Sequence, residues 1–87
     1  VINSVLFSGI KVGKGTVIRN SVIMPNVVIG ENAEINHSIL DADCNICDNA
    51  VVGDNDPEKD ITVVGADITI GEGKQVEAGV MVEEDIK

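Results

Sequence analysis

His37 is the only histidine in this chain, and a lone imidazole is a candidate general base because it exchanges protons near neutral pH. Cys44 and Cys47 stand in "CNIC", a spacing that suits a redox pair or half of a metal site. Lys11, Lys14 and Arg19 are the cations of the first thirty residues, which hold no acid, and such a group suits an anionic sugar phosphate or nucleotide. Lys14 also lies in "VGKG", which has the lysine and glycine of a phosphate loop. Asp54, Asp56, Glu58 and Asp60 alternate in the manner of calcium ligands.

Each of these has a plainer reading. "VGKG" lacks the preceding glycine and following helix of a phosphate loop. The acidic run lacks the spacing and closing glutamate of a calcium loop, which favours a solvated loop. No second Cys-x-x-Cys and no histidine pair completes a zinc site, so Cys44 reads as a buried small residue and Cys47 as a corner residue. The three cations are either solvated surface charge or part of an anion site.

The framework decides how these residues are presented, and it is a repeat. Shifted by 17 residues, "LFSGIKVGKGTVIRNSV", "IMPNVVIGENAEINHSI" and "LDADCNICDNAVVGDND" align without a gap. Large aliphatics fall into three columns: Leu6, Ile23 and Leu40; Val12, Ile29 and Ile46; Ile18, Ile35 and Val52, which Val1 extends backwards. The slot two residues before each anchor holds Ile10, Thr16, Ser21, Val27, Ala33, Ser38, Cys44 and Ala50, small or apolar nearly throughout. Residues i and i−2 of a strand share a face, so anchor and slot both point inward. Gly13, Gly30 and Gly53 follow their anchors, where glycine permits backbone conformations that other residues resist, and Asn and Asp fill the remaining corners for the same reason.

A parallel β-helix of triangular section satisfies this pattern, with three short strands and three turns per coil. Pro25 fits a corner, where no ladder N–H is needed. After Val52 the register breaks at "DNDPEKDIT", a polar stretch with Pro57 that predicts a loop protruding near residues 54–62. The hexad resumes at Val64, Ile70, Val76 and Val82, so the expectation is four to five coils, with "EEDIK" fraying at the end. His37 then occupies the position of Asn3 and Asn20, each followed by serine, and the three side chains predict a hydrogen-bonding ladder up one corner rather than a base.

Bulk properties agree with a repetitive interior. Of 87 residues 44% are hydrophobic, yet there is one Phe and no Trp or Tyr, so the core is aliphatic and rich in β-branched residues suited to strands. The formal net charge of −9 divides into +3 for residues 1–30 and −12 for the remainder, which argues against nucleic acid or an anionic membrane as partner. The chain starts at Val1 inside the apolar pattern and reads as a piece of a longer protein, one domain over residues 1–87. A helix opened at Val1 exposes strand-edge groups, so end-to-end association is expected.

The Ile/Leu/Val–Gly pattern with a small residue four on resembles the hexapeptide repeat of left-handed β-helix proteins, and the resemblance supplies the hand. In those proteins acyltransferases use a histidine as base, which leaves a trimeric acyl-CoA-dependent acyltransferase with His37 as base as an alternative. A γ-class carbonic anhydrase needs three histidines and is excluded. More narrowly, "IRNSVIMPNVVIGENA" and "ITVVGADITIGEG" resemble the C-terminal region of bacterial glucose-1-phosphate adenylyltransferase (ADP-glucose pyrophosphorylase). The resemblance implies a cytoplasmic enzyme of glycogen biosynthesis, with an N-terminal nucleotidyltransferase domain that uses ATP and Mg²⁺. This chain would lack that domain, hold no cofactor or catalytic residue, and serve regulation and oligomerisation. Its partners would be its own catalytic domain, neighbouring subunits of a homo- or hetero-tetramer, and an anionic effector touching Lys11, Lys14 and Arg19. The β-helix domain of another sugar-phosphate nucleotidyltransferase is a further alternative.

Overall fold

A computed structural model of the chain describes residues 3–54, 56 and 58–87. Val1, expected at the head of the third column, and Pro57, expected in the loop, lie outside them. The described strands run in coils. The first coil holds β1 (Val5–Leu6), β2 (Lys11–Val12) and β3 (Val17–Arg19). The second holds β4 (Val22–Ile23), β5 (Val28–Ile29) and β6 (Glu34–Asn36), and the third β7 (Ser38–Leu40), β8 (Asn45–Ile46) and β9 (Val51–Val52). The fourth holds β10 (Thr62–Val64), β11 (Thr69–Ile70) and β12 (Gln75–Val76), and β13 (Met81–Val82) opens a fifth.

Every pairing is parallel, and every third strand joins the same sheet. The first wall runs β1-β4-β7-β10-β13, the second β2-β5-β8-β11 and the third β3-β6-β9-β12. The architecture is a left-handed parallel β-helix. Leu6 pairs with Ile23, Ile23 with Leu40, Leu40 with Val64 and Val64 with Val82, so each aliphatic column of the sequence is a ladder of stacked side chains.

The core is this stack. Ile18, Ile23, Ile35, Leu40, Ile46, Val52, Val64 and Ile70 have no exposed surface, and Ile29, Val76 and Val82 nearly none. Val27, Ala33, Cys44 and Ala50 fill the slots beside them. Fully burying one such aliphatic side chain stabilises by about 1.5–3 kcal/mol, so a column of four or five replaces the aromatics a small core usually needs. Leu6 and Val12 depart from the expected core: they are 39% and 40% exposed. They lie on the first coil, where β1 and β2 have a stacked neighbour on one side only among the described residues.

The corners follow two rules rather than the single conformational one expected. Asn26, Asn32, Asp43, Asn49 and Asp67 take left-handed backbone, φ between 56° and 64°, as Asn and Asp can. Gly13 and Gly30 do not. A Cβ on Gly13 would lie 2.5 Å from the carbonyl carbon of Gly30 in the next coil, so glycine is there because stacked backbones approach too closely for a side chain. Gly53 is left-handed, with φ 77°.

The loop spans residues 54–61 rather than 54–62, since Thr62 is buried in β10 beside Ser38. It lengthens one corner and leaves the columns intact: Ile46 pairs with Ile70 and Val52 with Val76, both 24 residues on instead of 17. The tail does not fray. Ile86 bridges to Ile70, its N–H donates to the Thr69 carbonyl at 2.9 Å, and the Asp85 carboxylate accepts the Thr69 N–H at 2.8 Å. A corner shortened to four residues between Val82 and Ile86 makes this possible, which a strict hexad hides.

Replacing Ile35 with Ala should lower unfolding free energy by about 2–5 kcal/mol, as for other buried large-to-small changes. Leu6→Ala should cost much less because Leu6 keeps part of its surface in water. Urea denaturation of both variants checks the ranking, and equal losses would contradict it.

Candidate functional site

The corner between the third and first walls is the one with five-residue spacing, and it carries His37. Asn3, Asn20 and His37 share left-handed backbone there, with φ of 47°, 52° and 47°. What repeats is thus a backbone kink, and the ladder belongs to the serines that follow. The Ser21 N–H donates to Ser4 Oγ, and the Ser38 N–H donates to Ser21 Oγ, each at 3.1 Å. Ser21 Oγ in turn donates to the Arg19 carbonyl at 2.8 Å, and Ser38 Oγ to the Asn36 carbonyl at 2.7 Å. The kink swings the serine N–H away from the backbone ladder, and the hydroxyl of the coil below receives it. The recurrence of serine at 4, 21 and 38 was the available signal.

His37 sits directly beneath the loop, since its carbonyl accepts the Thr62 N–H at 3.2 Å as the chain returns from it. Its Nδ1 is shut off from solvent and has no hydrogen-bond partner among the described residues. Thr16 plays the serine role at the corner between the second and third walls: its hydroxyl donates to the Gly30 carbonyl and accepts the Ala33 N–H.

The three cations are not gathered at one point. Lys11 lies at the start of the second wall, Lys14 on the corner after it, and Arg19 at the far end of the third-wall strand β3. Lys11 and Lys14 are exposed, whereas the Arg19 guanidinium donates to Asn36 Oδ1 in the next coil at 3.1 Å. They share the first coil, next to the exposed apolar side chains of Leu6, Phe7 and Val12.

The acidic run is occupied by its own loop. The Asp56 N–H donates to Asp54 Oδ1 at 2.9 Å, the Glu58 N–H to Asp56 Oδ1 at 3.0 Å, and Lys59 Nζ to Asp54 Oδ2 at 3.0 Å. Lys59 holds the Asp54 carboxyl below its ordinary value, and Asp54 holds the Lys59 ammonium above its own. Both groups are in solvent, where salt screens them. Asp54 and Lys59 border an open groove of about 630 Å³ whose other side is Val51, Gln75 and Glu77. No aspect of the sequence pattern pointed to that groove, because it depends on which way the loop folds.

A family model described as GlmU-like, C-terminal hexapeptide, matches residues 1–65, three-quarters of the chain. The chain belongs to the GlmU-like C-terminal hexapeptide family. It is therefore a hexapeptide-repeat domain of the GlmU-like nucleotidyltransferase and acyltransferase type. A search of curated proteins gave no match.

In this GlmU-like hexapeptide domain the two cysteines part company. Cys44 is buried in the core slot, its thiol donates to the Gly65 carbonyl, and Cys47 is half-buried in the post-anchor corner. Burial pushes the Cys44 thiol up, and the nearby carboxylates of Asp41, Asp67 and Asp43 add to it. Because the folded value is raised, Cys44 contributes stability below the ordinary thiol value of 9.0 that is lost as pH rises past it. Two outcomes should follow. A thiol reagent at neutral pH should modify Cys47 readily and Cys44 only on unfolding. The alkaline loss of stability should shrink in Cys44→Ala, and an unchanged pH profile would remove Cys44 as its cause. Separately, Ser21→Ala leaves the buried Ser38 N–H without its acceptor and should destabilise by about 1–3 kcal/mol. A smaller loss in thermal unfolding would show that the serine ladder is dispensable.

Proposed function

We propose that this domain is the regulatory and oligomerisation part of a bacterial glucose-1-phosphate adenylyltransferase. It would be non-catalytic itself, serving an N-terminal domain that makes ADP-glucose from ATP and glucose 1-phosphate in the cytoplasm. The observation that supports this most is the first coil. It presents Lys11 and Lys14 in solvent on one coil, cations suited to an anion held where a second domain packs. The resemblance of "IRNSVIMPNVVIGENA" to that enzyme points the same way, because it includes Arg19 on the same coil.

The mechanism is differential contact. A stiff prism transmits a small change at its end to every wall, because the coils are tied by continuous ladders. An anionic effector bound at the seam would favour the arrangement in which the cations face it, a coupling typically of about 1–3 kcal/mol. Arg19 has a double task, since its bond to Asn36 also ties the first coil to the second.

Changing Lys11, Lys14 and Arg19 to Ala in the full enzyme should raise the effector concentration needed for half-maximal response and leave basal turnover intact. An unchanged effector response overturns the reading. Acetyl-CoA turnover by the 87-residue chain, abolished in His37→Ala, would replace it with acyl transfer.

A further inference from the structure

Down the second wall, the N–H of the residue before each anchor reaches a backbone carbonyl two residues before the next anchor. Lys11 reaches Val27, Val28 reaches Cys44 and Asn45 reaches Ile68. β11 is the last strand of that wall among the described residues, and there Thr69 breaks the rule. Its N–H donates to the Asp85 carboxylate at 2.8 Å, where the rule would give the Glu84 carbonyl. Two residues on, the rule returns. The Gly71 N–H donates to the Ile86 carbonyl as Cys47 does to Ile70, and the Ile86 N–H donates to the Thr69 carbonyl at 2.9 Å. Residues 83–87 thus cover the edge of β11 with one ladder residue and one side chain standing in for backbone. The cause is the step of four residues from Val82 to Ile86, where Val64 to Ile70 takes six.

Gly71 answers to the same contact. Its backbone is not left-handed, and the atoms nearest an added Cβ all belong to this segment: the Ile86 carbonyl oxygen and Lys87 Cα at 3.0 Å, and the Lys87 carbonyl carbon at 3.1 Å. Glycine stands there for the segment and not for the wall. The hold is slight nonetheless. Ile86 is half-buried against the core, and the 3.6 Å ion pair between Lys87 and Asp85 lies in solvent. β8, by contrast, is paired on both sides. A segment held on one side by three hydrogen bonds and one half-buried side chain opens far more readily than such a strand.

We infer that residues 83–87 are a removable strap over a strand-addition site, and that the freed edge of β11 takes an extended segment of a partner protein. The strap shows what the edge selects. A carboxylate must meet the Thr69 N–H. The next residue must be aliphatic, because it bridges to Ile70 in the core column, and its carbonyl must meet the Gly71 N–H. The partner segment is therefore extended, with Asp followed by Ile, Leu or Val. Backbone bonds supply its affinity, and those two side chains supply the choice. In this chain the strap holds the site in cis and competes with any segment of that pattern.

Amide exchange in the 87-residue chain should be at least about 100-fold faster at Thr69 and Gly71 than at Asn45 and Cys47. Equal rates would make residues 83–87 a fixed part of the wall and overturn the strap. The site itself is probed with the peptide Glu-Glu-Asp-Ile-Lys, blocked at both ends, at up to about 10 mM. In a chain ending at Val82 it should shift the amide resonances of Thr69 and Gly71. Putting Asn for Asp in the peptide should weaken binding at least about tenfold, and the full chain should bind the original peptide at least about tenfold more weakly than the shortened one. Should the shortened chain fail to fold, Ile86→Asp in the full chain frees the same edge. Absence of a shift at Thr69 and Gly71 in the freed chain overturns the site, as does equal binding of the Asn peptide or equal binding by strapped and freed chains.

Discussion

Everything in this prism depends on one constraint: each strand's N–H and C=O groups must be met by the strand one coil away. The Lys11 N–H reaches the Val27 carbonyl at 3.0 Å, the Val28 N–H the Cys44 carbonyl at 3.0 Å, and the Asn45 N–H the Ile68 carbonyl at 2.9 Å. With coils held at the strand spacing of about 4.8 Å, equivalent residues must lie one above another, and any side chain meets its own counterpart. Like then stacks on like, which is why the anchors form continuous aliphatic columns and Asn, Asp and Gly recur at the corners. The same constraint explains Gly13, where the next backbone passes too close for a Cβ.

The walls were therefore legible in the sequence. A 17-residue shift aligns Ile18 with Ile35 and Val52, and those residues pair directly in the third wall. The loop was legible as an interruption, and its length as the gap between Val52 and Val64. What escaped detection were features governed by backbone direction rather than by column identity. Asn3, Asn20 and His37 looked like a side-chain ladder, yet they share a left-handed kink, and the serine hydroxyls beside them do the bonding. The tail escaped because Ile86 reaches its column through a corner two residues short of the hexad.

The candidate site was less legible than the fold, for a physical reason. A repeat fixes which wall a residue occupies but not what assembles against that wall. Lys11, Lys14 and Arg19 are close in sequence, yet the corners distribute them over two walls and the turn between them. The groove is bordered by Asp54 and Lys59 beside Val51, Gln75 and Glu77 of the third wall, a placement that column identity does not encode.

The loop corner has an evolutionary consequence. Seven residues more than the ordinary repeat enter between β9 and β10, and the strands on either side resume the ladder as if nothing had intervened. Length at a corner is decoupled from shape in the walls. A lineage built this way can acquire, lengthen or exchange a binding loop without re-solving its folding problem, and a protein engineer can graft a recognition peptide at residues 54–61 on the same terms.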